Sequence, residues 1–564
     1  WILRLVGIVI RGYLTQADHV ASAHAGMFAP LTLRTKQMLN ACGIPMHALY
    51  DHQKEAAASD THTLLIAPTG SGKTEAALLW AAHIAQRERA VPRLFYTLPY
   101  QASMNAMYTR LARLFSEAQV GLVHGRSTLA LYRRLMEEER YTPEEAARAA
   151  RWRNNIARLH LPPVRVFSPY QMLKAAFQLK GYEALLSDYA QALFIFDEIH
   201  AYEPKRLAMI LELMRFLQHQ LGARFFIMSA TFPTLVRTQL EGALGDLHLI
   251  RANETLFERF TRHRVFVIEG DLTSPKGIQR VLAAFQQGQS VLVACNTVAR
   301  AQAMYRAVQA AIPTLDAENL VLVHGRFTTR DRWKKEQHIL ARTEVGRTRH
   351  TPVIVIATQV VEVSLNIDLD VLFSDPAPLD ALVQRFGRIN RKGRLKDAPV
   401  YVFTEPDDGQ HIYDARLVRG TLRILAEQAD GRTLHEGLVQ AWLDEAYQTD
   451  GFWQDWQQIF DESAAEFRHT FLDELVPFAS DFTLSELFDR LFDGTEVLPL
   501  SLEEQYECLK KTRPLEASEL LVPISWGRWH QLRQKGRLWT ESDEWPPLVE
   551  VPYSTEIGLD LDSV

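Results

Sequence analysis

Cysteine is almost missing from this chain: there are three residues in 564, at Cys42, Cys295 and Cys508. So few, so far apart, they exclude a disulfide framework and any zinc-ligand spacing, and a reducing cytoplasm is the expected compartment. Long hydrophobic runs are missing too. No stretch approaches the ~20 apolar residues of a membrane span, so no membrane partner is expected. Residues 1–10 are apolar but are interrupted by Arg4, and they lack the basic leader and cleavage site of a signal peptide. There is no excess of positive charge either. The net charge is −6, so any affinity for a polyanion has to be local.

What the chain does have is apolar material, 47% of its residues, enough for several cores over three or four domains of ~100–200 residues. The run 63–67 is apolar and β-prone, residues 68–72 turn the chain, and helix formers fill 74–85. Strand, glycine-rich turn and helix are the context that a P-loop needs. Here the loop reads Ala67-Pro68-Thr69-Gly70-Ser71-Gly72-Lys73-Thr74, with Ala67 where the strict pattern has its first glycine. Backbone N–H groups of Thr69, Gly70, Ser71 and Gly72 would face phosphates. Lys73 would reach the β/γ oxygens of ATP, and the Thr74 hydroxyl would hold Mg²⁺. A second apolar strand, 192–196, ends in Asp197-Glu198-Ile199-His200. Ligands of open α/β sheets bind at that edge. Asp197 is expected to hold Mg²⁺ through water, and Glu198 to polarise the attacking water as general base.

From here the chain resembles superfamily 2 helicases over roughly residues 50–405. Ser229-Ala230-Thr231, after the apolar strand 225–228, resembles the motif that couples hydrolysis to strand movement. Gln384-Arg385-Phe386-Gly387-Arg388-Ile389-Asn390-Arg391 resembles the arginine-finger motif. Arg388 and Arg391 lie three apart, so on a helix they would share one face, and a planar fork suits a charge-spread phosphoryl group. Gln53, in Tyr50-Asp51-His52-Gln53, resembles the glutamine that reads adenine. Leu-Val-His-Gly-Arg occurs at 122–126 and again at 322–326, an echo that suits two related lobes. The resemblance implies an α/β fold of two tandem RecA-like lobes, parallel sheets flanked by helices, plus a mainly helical C-terminal domain.

The match narrows further. Residues 357–368, Ala-Thr-Gln-Val-Val-Glu-Val-Ser-Leu-Asn-Ile-Asp, are similar to the second-lobe motif of the CRISPR-associated helicase-nuclease of type I interference systems. Residues 197–202, 323–327 and 167–171 fit the same family, although Asn366 stands where the family usually has Asp. The resemblance implies a DNA-dependent ATPase that moves 3′→5′ along single-stranded DNA after a guide-RNA surveillance complex of the Cascade type has opened its target. It makes Ser229, Thr231, Thr358 and Gln359 the coupling residues, with Asp368 and Gln384 among the coupling and nucleic-acid positions. It also implies an HD nuclease domain, whose metal site needs a His-Asp dipeptide, and this chain has none. Residues 12–22 resemble the last helix of such a domain, with Asp18 at its metal-closing position. The expectation is that most of the nuclease was removed, lost or encoded separately, so that Asp18, His19 and His24 are ordinary polar positions.

Boundaries are expected near 45, 255 and 410. They divide an HD remnant and linker (1–45) from lobe 1 (46–255), lobe 2 (256–410) and an accessory domain (411–564). Seven of the eleven tryptophans lie beyond 410, so that region needs its own core. Trp453, Trp456 and Phe460 are spaced for one buried helical stripe. Around Trp526-Gly527-Arg528-Trp529, a surface hairpin and a strand contact are both open. Arg148, Arg151, Arg153, Arg158 and Arg165 read either as a solvated helix face or as a phosphate-tracking wall. Two rival functions share the core motifs: a DExH RNA helicase, and an ATP-gated clamp that binds nucleic acid without unwinding it.

Overall fold

The computed structural model describes the chain except for residues 25–29, 89–91, 139, 314–315, 344–351, 364–365, 480–481, 493, 540–545 and 562–564. Two compact units emerge. The first is Trp1–Phe257 with Trp453–Phe492, and the second is Glu258–Phe452 with Asp493–Val564.

The first unit is built on seven parallel strands: β1 (His62–Ile66), β2 (Leu94–Thr97), β3 (Val120–Val123), β4 (Val164–Phe167), β5 (Leu193–Asp197), β6 (Arg224–Ser229) and β7 (Leu247–Arg251). Their order across the sheet is β3-β4-β2-β5-β6-β1-β7. The second unit has β8 (His263–Asp271), β9 (Val291–Ala294), β10 (Leu320–Val323), β11 (Ile354–Ala357), β12 (Val371–Ser374) and β13 (Ala398–Glu405). These are also parallel, in the order β10-β11-β9-β12-β13-β8. Replace each of β1–β6 by the strand seven places on, and the second order follows from the first. The two lobes are copies of one topology, and the tandem RecA-like expectation holds.

Parallel strands covered on both faces read as continuous apolar runs, and these do. In lobe 2, Leu292, Ala294, Val355, Leu372 and Val400 pack on one side. Their neighbours Val291, Val293, Ile354, Val371 and Phe373 pack on the other, the period-two alternation of a strand. The Leu-Val-His-Gly-Arg echo falls on β3 and β10, the edge strand of each sheet.

The region 411–564, expected as one accessory domain, is shared between the units. Its first part is helical, and the helix Phe452–Phe467 and its successors return to lobe 1. There Phe177 lies 4.3 Å from Phe471, and Arg468 pairs with Glu212 at 2.8 Å. Trp456 and Phe460 are buried and stacked at 5.3 Å, while Trp453, the third member of the expected stripe, is exposed. Residues from 495 onward add a small sheet to the second unit: β14 (Thr495–Pro499), β15 (Val522–Ile524), β16 (Leu538–Trp539) and β17 (Leu548–Val549). Trp526–Gln534 is a helix rather than a hairpin, with its N-terminus capped by Ser525.

Candidate functional site

The loop after β1, the loop after β5 and the turn after β6 all leave the same edge of the lobe 1 sheet, so topology alone gathers residues 67–74, 197–200 and 229–231. The helix Lys73–Glu88 begins at the lysine, and its open first N–H groups face the turn. Gly70 and Gly72 take φ +91° and +83°, conformations that side chains resist. At Gly72 space forbids one as well, because a Cβ would stand 2.3 Å from Gln53 Nε2. Lys73 Nζ donates to the Ala67 carbonyl at 3.1 Å. Thr74 is buried, Thr69 is half-buried, and the buried Ser71 hydroxyl has no hydrogen-bond partner.

Gln53 braces this loop. Its Oε1 accepts from the Tyr50 N–H at 3.0 Å and its Nε2 donates to the Gly72 carbonyl at 3.1 Å. Next to it, buried His52 donates from Nε2 to the Ser71 carbonyl at 3.1 Å, and burial pushes its pKa down to about 4. His52 carried no signal in the sequence beyond lying beside Gln53.

Asp197 Oδ2 accepts from the Tyr96 hydroxyl at 3.2 Å. Desolvation pushes the Asp197 carboxyl up to about 7, the Glu198 charge adds to the shift and Lys73 opposes it. A carboxylate so destabilised in its charged form suits a cation. Glu198 sits in the left-handed region at φ 58°, costly for a non-glycine residue and typical of functional sites. That turn aims its carboxylate at Ser229: Ser229 Oγ is 2.9 Å from Glu198 Oε2 and 3.1 Å from His200 Nδ1, and accepts from the Thr231 N–H at 3.3 Å. Glu198, Ser229 and Thr231 thus share one hydrogen-bonded cluster.

In the second unit, Thr358 is buried and Gln359 Nε2 donates to the Asn296 carbonyl at 2.8 Å. Ser364 and Leu365 of the same motif lie outside the described residues. Gln384 is half-buried on the helix Leu379–Phe386. That helix ends before Arg388, so Arg388 and Arg391 do not share a helical face as expected. Ile389 instead bridges to Leu369, and Asn390 turns the chain at φ 48°. Arg388 Nη2 donates to the Glu362 carbonyl. Buried Asp368 accepts the Arg391 N–H at 2.7 Å and Arg394 Nε at 3.2 Å. Burial, with Arg262 alongside, lowers the Arg391 pKa.

Arg385 is buried inside the same motif and was given no role by its sequence position. Its guanidinium donates to Glu362 Oε1 at 2.9 Å, Ser374 Oγ at 2.8 Å, Asn296 Oδ1 at 2.9 Å and the Tyr413 hydroxyl at 3.2 Å. Asp18 lies on the helix Ile2–Ser22. Among the described residues no group of three or more His, Cys, Asp or Glu side chains could hold a metal, and no helix is long and apolar enough to cross a membrane.

A P-loop and a strand-end Asp-Glu pair on one of two duplicated parallel lobes define the class: a P-loop protein with two RecA-like lobes. Residues 50–238 match the model of the DEAD/DEAH box helicase family, and residues 287–394 that of the CRISPR-associated nuclease/helicase Cas3, C-terminal. The relatives agree. The chain is 27% identical over 560 residues to the CRISPR-associated endonuclease/helicase Cas3 of Escherichia coli, covering 86% of this chain and 62% of that protein. It is 30% identical over 350 residues to a putative CRISPR-associated nuclease/helicase Cas3 of Methanocaldococcus jannaschii, covering 61% and 46%. It thus spans about half the length of the curated relatives it matches. Among solved structures, T. fusca Cas3 with ATP superposes with a TM-score of 0.71 at 20% identity, over 95% of this chain and 70% of that one. The resemblance to the CRISPR-associated helicase-nucleases, read from the motifs, is borne out.

Proposed function

We propose that this chain is the motor part of a CRISPR-associated helicase, using ATP hydrolysis to step 3′→5′ along single-stranded DNA. The observation that carries the reading is the lobe 1 cluster. Glu198, held in a strained turn, touches Ser229 and follows Asp197, whose carboxylate feels the Lys73 charge. A water activated by Glu198 and the turn that responds to hydrolysis are then one hydrogen bond apart.

Lys73 and the N–H groups of 69–74 hold the phosphates as a fixed array, ready before the reaction begins. Asp197 and the Thr74 hydroxyl offer oxygen donors of the kind that Mg²⁺ takes, and the orphaned Ser71 hydroxyl of the same loop as Thr74 leaves a polar atom for a ligand to satisfy. When bound, that ion neutralises charge on the transferring phosphoryl group. Glu198 takes the proton of the attacking water. Ser229 feels the change first, because its hydroxyl is shared between Glu198 and the 231 turn. Arg388 and Arg391 supply guanidinium charge to the γ-phosphate in this reading, and Thr358, Gln359, Asp368 and Gln384 belong to the coupling apparatus of the second lobe. One structural neighbour is titled "CRISPR RNA-guided surveillance complex, pre-nicking" (TM-score 0.61, 20% identity). That supports a guide-RNA surveillance complex as the partner; an HD nuclease as a further partner rests on the motif resemblance alone.

Lys73→Ala and Glu198→Gln should each abolish ATP turnover stimulated by single-stranded DNA, and turnover retained in either variant would refute the assignment. Comparing stimulation by single-stranded DNA and RNA distinguishes the DNA motor from an RNA helicase. Strand displacement distinguishes it from a clamp.

A further inference from the structure

The five arginines between 148 and 165 do not form one patch. Arg165 is buried in lobe 1 with Asp188, and Arg153 pairs with Glu117 at 2.7 Å. The other three share a surface. Arg148, Arg151 and Arg158 lie on the exposed side of the helix Pro143–Arg158, together with Asn155 and Trp152. Positions 148, 151, 152, 155 and 158 recur at three- and four-residue steps, so they line one helical stripe about 15 Å long. Among the described residues none of the three arginines is ion-paired. The helix's own carboxylates, Glu144 and Glu145, lie in its first turn, where hydrogen bonds from the Thr142 N–H and hydroxyl, with the Arg148 charge one turn on, hold the Glu145 carboxyl below its ordinary pKa. Trp152 is 58% exposed, a large ring left in water between unpaired cations.

The helix is firmly seated on its other side. Ala146, Ala150, Asn154, Ile156 and Ala157 are buried, and Asn154 Oδ1 accepts from Ser127 Oγ at 2.6 Å. The same Ser127 Oγ lies 3.0 Å from the carbonyl oxygen of His124, in the turn after edge strand β3. The stripe is therefore presented rigidly, next to the Leu-Val-His-Gly-Arg segment, on a protein whose net charge is negative.

We propose that this stripe is a single-stranded polynucleotide-binding surface, with Arg148, Arg151 and Arg158 on successive phosphates and Trp152 stacked on a base. Unpaired guanidinium groups interleaved with one exposed ring are what such a strand needs: cations for the backbone, and a flat face that accepts any base. An acidic protein surface would use the arginines but leaves the indole unexplained. The proposal rests on the reading of the chain as a polynucleotide-driven ATPase and adds a contact that reading does not require.

The test uses the full chain and fluorescently labelled oligo-dT and oligo-U, with binding followed by anisotropy across a salt series. Each phosphate contact on a single strand contributes about 0.7 to the slope of log K against log salt. The triple change Arg148→Ala, Arg151→Ala, Arg158→Ala should therefore flatten that slope by about 2, and lysine at the same three positions should restore it. Trp152→Ala should weaken binding ~5- to ~150-fold with the slope unchanged, and Trp152→Phe should recover most of the loss. Loss on oligo-dT alone makes DNA the ligand of the stripe, and loss on oligo-U alone makes it RNA. ATP turnover without nucleic acid should be unchanged in every variant. If the wild type binds oligonucleotide and neither variant alters affinity or slope, the stripe is a solvated face and only this inference falls. If the wild type binds no oligonucleotide at all, the proposed function falls with it.

Discussion

The same six-strand order builds both lobes, and the two use its ligand edge in opposite ways. In lobe 1 the loop after the first strand is the P-loop, and the strand-end acid, Asp197, is carried at a raised pKa. In lobe 2 the strand matching β1 ends in Asp271, and the strand matching β5 is followed at once by Asp375. There Arg300 fills the edge. Its Nη2 donates to Asp271 Oδ1 at 2.8 Å and to Asp375 Oδ1 at 2.7 Å, its Nη1 to Asp271 Oδ2 at 3.0 Å, and its Nε to Asp375 Oδ2 at 2.9 Å. One lobe leaves its carboxylate short of positive charge; the other bridges its pair with an internal guanidinium. Duplicated topology sets where polar groups collect, and single side chains then decide whether that place is open to a ligand or sealed.

The largest effect should come from the sealed edge. Arg300→Ala leaves Asp375 buried without its cation, and breaking such a pair costs about 3–5 kcal/mol. The lobe 2 transition in urea should shift strongly. Lys73→Ala at the open edge should abolish turnover with no comparable shift, and a matching loss of stability there would break the contrast.

Next comes the tail of the second unit. Gly558 takes φ +74°, and a Cβ there would stand 2.8 Å from both the Arg326 carbonyl oxygen and His324 Cε1. Gly558→Ala should cost about 1–3 kcal/mol and speed hydrogen exchange at Leu559. Gly325→Ala, with nothing within 4 Å of the added carbon, should not.

Asp197 sharpens the comparison through pH. Its folded pKa is about 7 against an ordinary 3.8. Between those values the folded state keeps a proton that the unfolded chain has lost, so its contribution to stability falls as pH rises. In metal-free buffer, Asp197→Asn should gain in Tm over the wild type on going from pH 5 to pH 8. A constant difference would mean the carboxyl is not raised.

The smallest effect concerns the echoed turns. In each, the arginine N–H donates to its histidine Nδ1, at 3.2 Å for His124 and 3.1 Å for His324. The Nε2 side then diverges: His124 meets Asn105 Oδ1 at 2.8 Å, and His324 donates to the Ile557 carbonyl at 3.0 Å. Removing either ring should cost on the order of 1 kcal/mol. Only His324→Ala should increase proteolysis of the segment 553–560.

Much of lobe 1 was legible because its chemistry is contiguous. Residues 63–74 hold strand, turn and helix in one run, and Asp197-Glu198 ends an apolar strand. Arg388 and Arg391 were misplaced on a helix because local spacing cannot see that Ile389 is captured by Leu369, over which the chain has to turn. Tyr96, His52 and Arg300 were invisible for the same reason: each acts on a partner far along the chain.

By itself the sequence determined the strands at 63–67, 192–196 and 225–228, the phosphate loop and the acidic pair, since hydrophobic period and turn chemistry act over a few residues; the doubling of the lobe was implied by the family resemblance and the Leu-Val-His-Gly-Arg echo. Tertiary structure decided the rest: that Asp197 is raised and Asp375 paired, that Arg385 is a buried hub, and that 453–492 returns to the first unit. Burial and charge pairing depend on what folds alongside, and no local pattern encodes that.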